Sequence, residues 1–223
     1  MTWIEAHAAA WNAQYAAGRY LDQEPEPFVA DVIRCAADQR LASGLYIGCG
    51  NGRNMSALLE ADLDLVGIDI SPVAIRQIVS ARPADARRFR IGDLAILSDD
   101  ETFDIVIGIQ VFMFGTRQQA HEHVIAAMAR VNPGGILCFR ANAVGTDVWP
   151  AHDLGPSHAD GSFTVRYVDG PKAGLDVHFF SADELATLFA GWEELLPLRV
   201  DSRLRSNGHG QWSQFEAIWR RPN

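Results

Sequence analysis

Three glycines crowd the stretch Leu45-Tyr46-Ile47-Gly48-Cys49-Gly50-Asn51-Gly52-Arg53-Asn54, directly after a short apolar run. Glycine carries no Cβ, so such a loop lets backbone N–H groups and a following helix N-terminus approach a polar or anionic ligand group. A tight strand-to-helix turn also demands glycine, so the loop takes its meaning from its neighbours. Asp69, in Val66-Gly67-Ile68-Asp69-Ile70-Ser71, ends the next apolar run 17 residues beyond Gly52. A carboxylate there can accept both hydroxyls of a ribose. Asp93, in Arg90-Ile91-Gly92-Asp93-Leu94, follows the third run and can accept from an adenine amino group. A dinucleotide fingerprint would need glycine at position 53, which is Arg53, and the Gly-Lys-Ser/Thr of a phosphate loop is absent.

Further polar candidates lie later in the chain: Gln110, Asn142, Thr146, Tyr167, His178, Ser206 and His209. His178 has an ordinary pKa of about 6.5, which suits a general base at neutral pH. It also lies in the alternating run Asp176-Val177-His178-Phe179-Phe180, where a strand histidine can be purely structural. His121 and His123 are two apart on a helical stretch, a spacing that points them away from each other, so no metal site is expected. Cys49 needs only to be small, and burial would blunt its thiol.

The elements that must position these groups follow from periodicity. Apolar residues at helical spacing (Ile4, Ala8, Trp11, Tyr15) predict an amphipathic helix over about 4–20, and a second helix fits 27–39. Strands are expected at 44–47, 63–68, 88–91, 103–111 and 135–140, with helices at 54–60, 71–79 and 118–131, the last ended by a turn at Asn132-Pro133-Gly134-Gly135. β-Branched runs alternating with helices imply a parallel sheet covered on both faces, hence a doubly wound α/β fold in one domain over 1–223. The rhythm breaks at 141–180, where two short β-like runs flank Asp169-Gly170-Pro171-Lys172-Ala173-Gly174; this reads as an insertion over the sheet edge. Ser181 and Glu184 form a capping box for a last helix, and strands at about 193–203 and 212–220 close the chain.

Composition narrows the partners. A formal net charge of -9 argues against nucleic acid, whose binding rests on Lys and Arg. No apolar run approaches the roughly 18 residues that span a bilayer. The first twenty residues lack a signal-peptide pattern, and three scattered cysteines build neither a disulfide framework nor a zinc site. A cytoplasmic chain with a small-molecule substrate is expected; nothing in the sequence sets an oligomeric state.

The Gly48-x-Gly50-x-Gly52 spacing with Asp69 and Asp93 resembles the S-adenosylmethionine (SAM) site of class I methyltransferases, over about residues 11–135. Phe103–Phe114 is similar to the family's fourth strand, and Met128–Phe139 to its helix, turn and fifth strand. Gly48–Asn54, Val111–Phe114 and Ala190–Leu196 are similar to the tellurite-resistance and thiopurine branch. The resemblance implies a mostly parallel seven-stranded sheet with a lid over 1–40 and a substrate-side insertion at 141–180. It implies that Gly48, Gly50 and Gly52 pass the methionine part of SAM, Asp69 holds the ribose, Ile70 packs on adenine, and Asp93 with the Leu94 backbone reads the adenine edge. Gln110 would border the methyl-side pocket. Trp11 and Tyr15 would close over the sulfonium, where a cation near an aromatic face gains about 0.5–2 kcal/mol, or simply pack the lid on the core.

Where the family usually carries an acid, two residues before the first glycine, this chain has Tyr46. Two readings stay open. Tyr46 packs in its strand and other groups hold the ammonium of SAM, or the missing carboxylate leaves the amine easier to deprotonate. A neutral amine can attack its own γ-carbon, giving azetidine-2-carboxylate and methylthioadenosine. Methyl transfer to an O, N or S nucleophile is the first expectation, with Gln110, Asn142, Tyr167 and His178 as candidate catalytic groups. SAM cyclisation is the second, and a non-catalytic SAM-binding module the third.

Overall fold

The expected strands are short runs whose side chains disappear on both faces of the sheet, and the computed structural model, which describes residues 3–21 and 23–223, buries them accordingly. Leu45 in β1 (Ser43–Ile47), Leu65 and Ile68 in β2 (Asp64–Asp69), and Ile105, Val106 and Ile107 in β4 (Phe103–Ile109) are all fully buried. With β3 (Phe89–Ile91), β5 (Val131–Asn142), β9 (Glu193–Leu204) and β10 (Gln211–Arg220) they form a seven-stranded sheet in the order β3-β2-β1-β4-β5-β10-β9. β1 pairs β2 and β2 pairs β3 in parallel, with Leu45 opposite Val66 and Gly67 opposite Phe89. β9 and β10 pair antiparallel, with Val200 opposite Phe215. This is the doubly wound α/β sheet that the sequence predicts.

The chain separates into two compact units, and β4 and β5 run through both. The first comprises residues 1–107 and 130–136. It contains α1 (Trp3–Ala16), α2 (Phe28–Gln39), α3 (Met55–Glu60) and α4 (Pro72–Ala81). α2 buries Phe28, Val29, Val32 and Ala36, and α4 starts at Ser71, whose hydroxyl accepts from the Ala74 N–H. α1 differs from the apolar stripe expected of it. Ile4 is 40% exposed and Trp11 half-buried, while His7 and Tyr15 are buried. Polar contacts dock this helix instead: Asn12 Oδ1 accepts from Ser71 Oγ at 2.7 Å and from the Val73 N–H, and Gln77 donates to the Tyr15 carbonyl at 2.9 Å.

The second unit comprises residues 108–129 and 137–223. Its aromatic core stacks Phe112 on Phe139 and Phe189 on Trp219. α5 (Arg117–Ala129) and α6 (Ala182–Leu188) lie here, α6 closed by the predicted Ser181/Glu184 capping box. Segment 141–180 carries its own antiparallel sheet, β6 (His152–Ser157), β7 (Phe163–Tyr167) and β8 (Asp176–Phe179), in that order. β6 has no counterpart in the sequence reading: His152-Asp153-Leu154-Gly155-Pro156-Ser157 is exposed, does not alternate, and holds the proline that only an edge strand tolerates. The expected turn at 132–135 is a second correction, since β5 already begins at Val131. The Phe103 N–H donates to the Arg130 carbonyl and Asn132 Nδ2 to Asp104 Oδ1, so the segment is tied alongside β4 even though Gly134 adopts φ +74°.

Candidate functional site

In an open parallel sheet, ligands gather beyond the carboxyl ends of the strands. At the end of β1, Gly48, Gly50 and Gly52 take φ of +69°, +58° and +98°, a region that residues with side chains rarely adopt. The Gly48 and Cys49 N–H groups donate to the Ile68 carbonyl at 2.8 and 3.0 Å, turning the loop across the end of β2. The Gly50 N–H reaches the Asp69 Oδ2 at 2.9 Å, and the Ser71 N–H reaches Oδ1 at 2.8 Å. Burial pushes the Asp69 carboxyl up to about 6, against the two backbone donors that pull it down. Each carboxylate oxygen thus has one backbone partner and one remaining lone pair, the capacity that two ribose hydroxyls require. Asp93 is half-buried and caps a short turn, Leu94–Ile96, through the Ala95 N–H at 3.0 Å; Leu94 is buried and Ile70 half-buried.

Tyr15 rests against this loop. A Cβ on Gly50 would stand 2.6 Å from its hydroxyl oxygen. Burial, with the Asp69 charge second, raises the Tyr15 phenol well above its ordinary range, so it stays protonated. Trp11 and Tyr20 lie 5.9 and 6.1 Å from the Tyr15 ring, so the three form an aromatic cluster. Tyr46 is fully buried in β1. Asn54 Nδ2 donates to its hydroxyl at 2.8 Å, and Asn54 Oδ1 accepts from the Glu26 N–H. Burial raises the phenol of Tyr46 too. Burial likewise raises the Cys49 thiol and keeps it protonated.

The second unit gathers a different set. Gln110 follows β4 at φ +60°, a conformation that costs a non-glycine residue about 1 kcal/mol or more. Its N–H donates to the Arg140 carbonyl at 2.7 Å, and its Nε2 to Gln214 Oε1 at 3.3 Å. Gln214, fully buried in β10, donates to Asn142 Oδ1 at 3.1 Å, and the Trp212 indole N–H donates to the same oxygen at 3.4 Å. Two of the predicted residues, Gln110 and Asn142, are therefore joined by a residue that sequence reasoning did not single out. The Arg140 guanidinium lies 5.2 Å from the Trp212 ring centre and is bonded to Glu216 and Asp201 at 2.8 and 2.9 Å.

Other candidates are committed elsewhere. Thr146 Oγ1 donates to the Ala143 and Ser213 carbonyls, a backbone brace. His209 stacks on Trp149 at 4.6 Å. Tyr167 is buried, with Lys172 5.7 Å from its ring, and burial raises its phenol. His178 is fully buried, with Nδ1 on Thr164 Oγ1 at 3.0 Å and Nε2 on the Glu184 carboxylate at 3.0 Å. Both ring nitrogens are thus engaged inside the unit, by Thr164 and Glu184. His121 joins it at 2.5 Å from Glu184 Oε1, and Arg117 Nε donates to the same oxygen at 2.7 Å. Burial would raise Glu184, but these partners outweigh it and hold the carboxyl well below its usual range. His123 turns away, edge-on to Phe112. Spacing along α5 separated His121 from His123; only the fold brings His121 to His178 and Glu184, where all three ligand atoms lie within 4.8 Å of one another.

With this geometry established, comparison with known proteins is specific. Residues 45–137, which hold the glycine loop, Asp69, Asp93 and Gln110, match the family described as a methyltransferase domain. A curated relative, hemagglutinin 1 of Eikenella corrodens, is 28% identical over 153 residues, 68% of this chain but 44% of its own length. The chain therefore spans under half of that relative. Among solved structures, a SAM-dependent methyltransferase from Anabaena variabilis superposes with a TM-score of 0.69 at 14% identity, covering 99% of this chain and 96% of the other. A Burkholderia thailandensis 1,6-didemethyltoxoflavin-N1-methyltransferase, solved with that heterocycle and S-adenosylhomocysteine, gives 0.65 at 14% identity, covering 100% and 92%. TehB from Haemophilus influenzae gives 0.63 at 18% identity, covering 94% and 67%. Residues 45–137 are thus similar to the methyltransferase domain, in a chain that has the fold of the solved SAM-dependent methyltransferases.

Proposed function

We propose that this protein is a SAM-dependent methyltransferase acting on a small molecule. The observation that carries the reading is the union of the glycine loop with Asp69: three left-handed glycines bend the backbone so that the Gly50 N–H meets a buried carboxylate at the tip of β2. These residues fit the adenosyl group. Asp69 offers one lone pair per oxygen to the ribose hydroxyls, Ile70 and Leu94 offer apolar walls to the base, and Asp93 an acceptor. SAM supplies an electrophilic methyl on a sulfonium. The chain binds the cofactor and keeps Tyr15 protonated over the loop.

A second reading is cyclisation of SAM, and Tyr46 favours it. The strand position occupied by an acid in the resembling family is a phenol here, spent on Asn54 in the interior. One incubation separates the readings. Methyl transfer requires S-adenosylhomocysteine to form only when an acceptor is added. Methylthioadenosine formed from SAM alone would support cyclisation, and binding without either product would leave a non-catalytic module.

A further inference from the structure

Two imidazoles aim the same ring nitrogen at one buried carboxylate. His121 comes from α5, His178 from β8 and Glu184 from α6, and all three belong to the second unit. His121 Nε2 stands 2.5 Å from Glu184 Oε1, and His178 Nε2 stands 3.1 and 3.0 Å from Oε1 and Oε2. The three candidate ligand atoms lie within 4.8 Å of one another. Two of the groups are held from behind. Thr164 Oγ1 meets His178 Nδ1 at 3.0 Å, and the capping box ties Glu184 to Ser181. Arg117 Nε donates to Glu184 Oε1 at 2.7 Å, and its other end is answered by Asp160, so Oε2 is left to His178 and the Ser181 N–H. Phe180 packs edge-on against the His178 ring at 4.8 Å. His178 and Glu184 are buried, whereas the His121 side chain is 26% exposed and gives the cluster a side open to solvent.

We propose that His121, His178 and Glu184 form a binding site for a divalent transition-metal ion, zinc, with water completing its coordination on the solvent side. Zinc bonds imidazole nitrogen and carboxylate oxygen at about 2.0–2.2 Å, so ligands already this close need only small side-chain rotations to surround it. Magnesium and calcium call for oxygen ligands and are poorly served by two imidazoles. Binding asks each imidazole to turn an Nε2 lone pair to the ion and to keep its proton on Nδ1. Thr164 accommodates this for His178, because a hydroxyl that donates to a bare Nδ1 can equally accept from Nδ1–H. An outer partner of this kind fixes ring orientation in metal sites. The ion fastens α5 to β8 and α6 inside the second unit, and the site stands apart from the cofactor reading above.

The test titrates zinc chloride into the full chain, stripped with a chelator and dialysed, by calorimetry and thermal unfolding at pH 7.5. One ion per chain with a Kd of about 1 μM or below is expected. Tm should rise by about 5 °C when free zinc is about 100-fold above Kd. His121→Ala should weaken zinc binding about 100-fold or more, with His121→Gln in its place if the alanine variant fails to fold. Thr164→Val, which removes only the outer partner, should weaken it about 10-fold. Magnesium and calcium should not displace the ion. A folded wild-type chain that takes up no zinc overturns the proposal. Binding that His121→Ala and Glu184→Gln both leave unchanged also overturns it, since the ion then sits elsewhere, as does displacement by magnesium as strong as by zinc itself. None of these outcomes bears on the S-adenosylhomocysteine titration, so the two readings fail separately.

Discussion

The Gly50 N–H donates to Asp69 Oδ2 at 2.9 Å, and this contact ties the glycine loop of β1 to the tip of β2. Burial pushes this carboxylate from an ordinary value of 3.8 up to about 6, and the contact, with the Ser71 N–H, recovers only part of the shift.

Asp69 must be ionised to accept two ribose hydroxyls, so affinity for S-adenosylhomocysteine should rise with pH through about 6 and level off above 7. Below the transition the slope is at most tenfold per pH unit. Asp69→Asn should flatten the profile and weaken binding at pH 7.5 by about 10-fold or more. For the ligand-free protein the sign is opposite. A carboxylate raised on folding contributes stability below about pH 4 that is lost as pH climbs through 6, by about 3 kcal/mol at most. Calorimetric titration and urea unfolding between pH 4 and 8 read both effects.

Gly50→Ala faces two penalties, the left-handed φ and a Cβ 2.6 Å from the Tyr15 hydroxyl. It should cost about 1–2 kcal/mol of stability or more and lower cofactor affinity. The double change with Tyr15→Phe should recover the steric part and not the backbone part, a non-additivity visible in a thermal double-mutant cycle.

Arg140 is fully buried, with its charge answered by Glu216 and Asp201. Arg140→Ala would leave Glu216 without that cation in the interior, although Arg199 still reaches its second oxygen. A loss of about 3–5 kcal/mol in denaturant unfolding is expected, whereas Arg140→Met with Glu216→Leu should lose far less.

Glu184, held well below its usual range, contributes stability that is present above about pH 4.3 and lost as pH falls toward its folded value. Glu184→Gln should lower Tm at pH 7 and flatten the acid limb of the stability profile, since His121, His178 and Arg117 all lose a charged partner.

What the sequence makes legible is what local chemistry dictates. Glycine is needed at 48, 50 and 52 because the backbone there is left-handed, and Ser71 caps α4 because its hydroxyl meets the Ala74 N–H three residues on. The parallel pairing of β1, β2 and β3 follows from the alternation of β-branched runs and helices. Contacts made across long separations leave no local trace. Gln214 lies 72 residues from Asn142, and Glu184 lies 63 from His121, so neither pairing shows in any window of the chain. β6 escaped because an exposed edge strand needs no apolar alternation. α1 misled because its docking is polar, through Asn12 and the Tyr15 carbonyl, while its apolar side chains stay partly in water.

Among the described residues, no helix is long and apolar enough to cross a bilayer.

Titration of the full chain with S-adenosylhomocysteine in a calorimeter at pH 7.5 tests the central claim most directly. Saturable heat at one site per chain, lost in Asp69→Asn, is the predicted result. An absence of heat with the folded wild-type protein, or binding indifferent to Asp69 and Asp93, would contradict it.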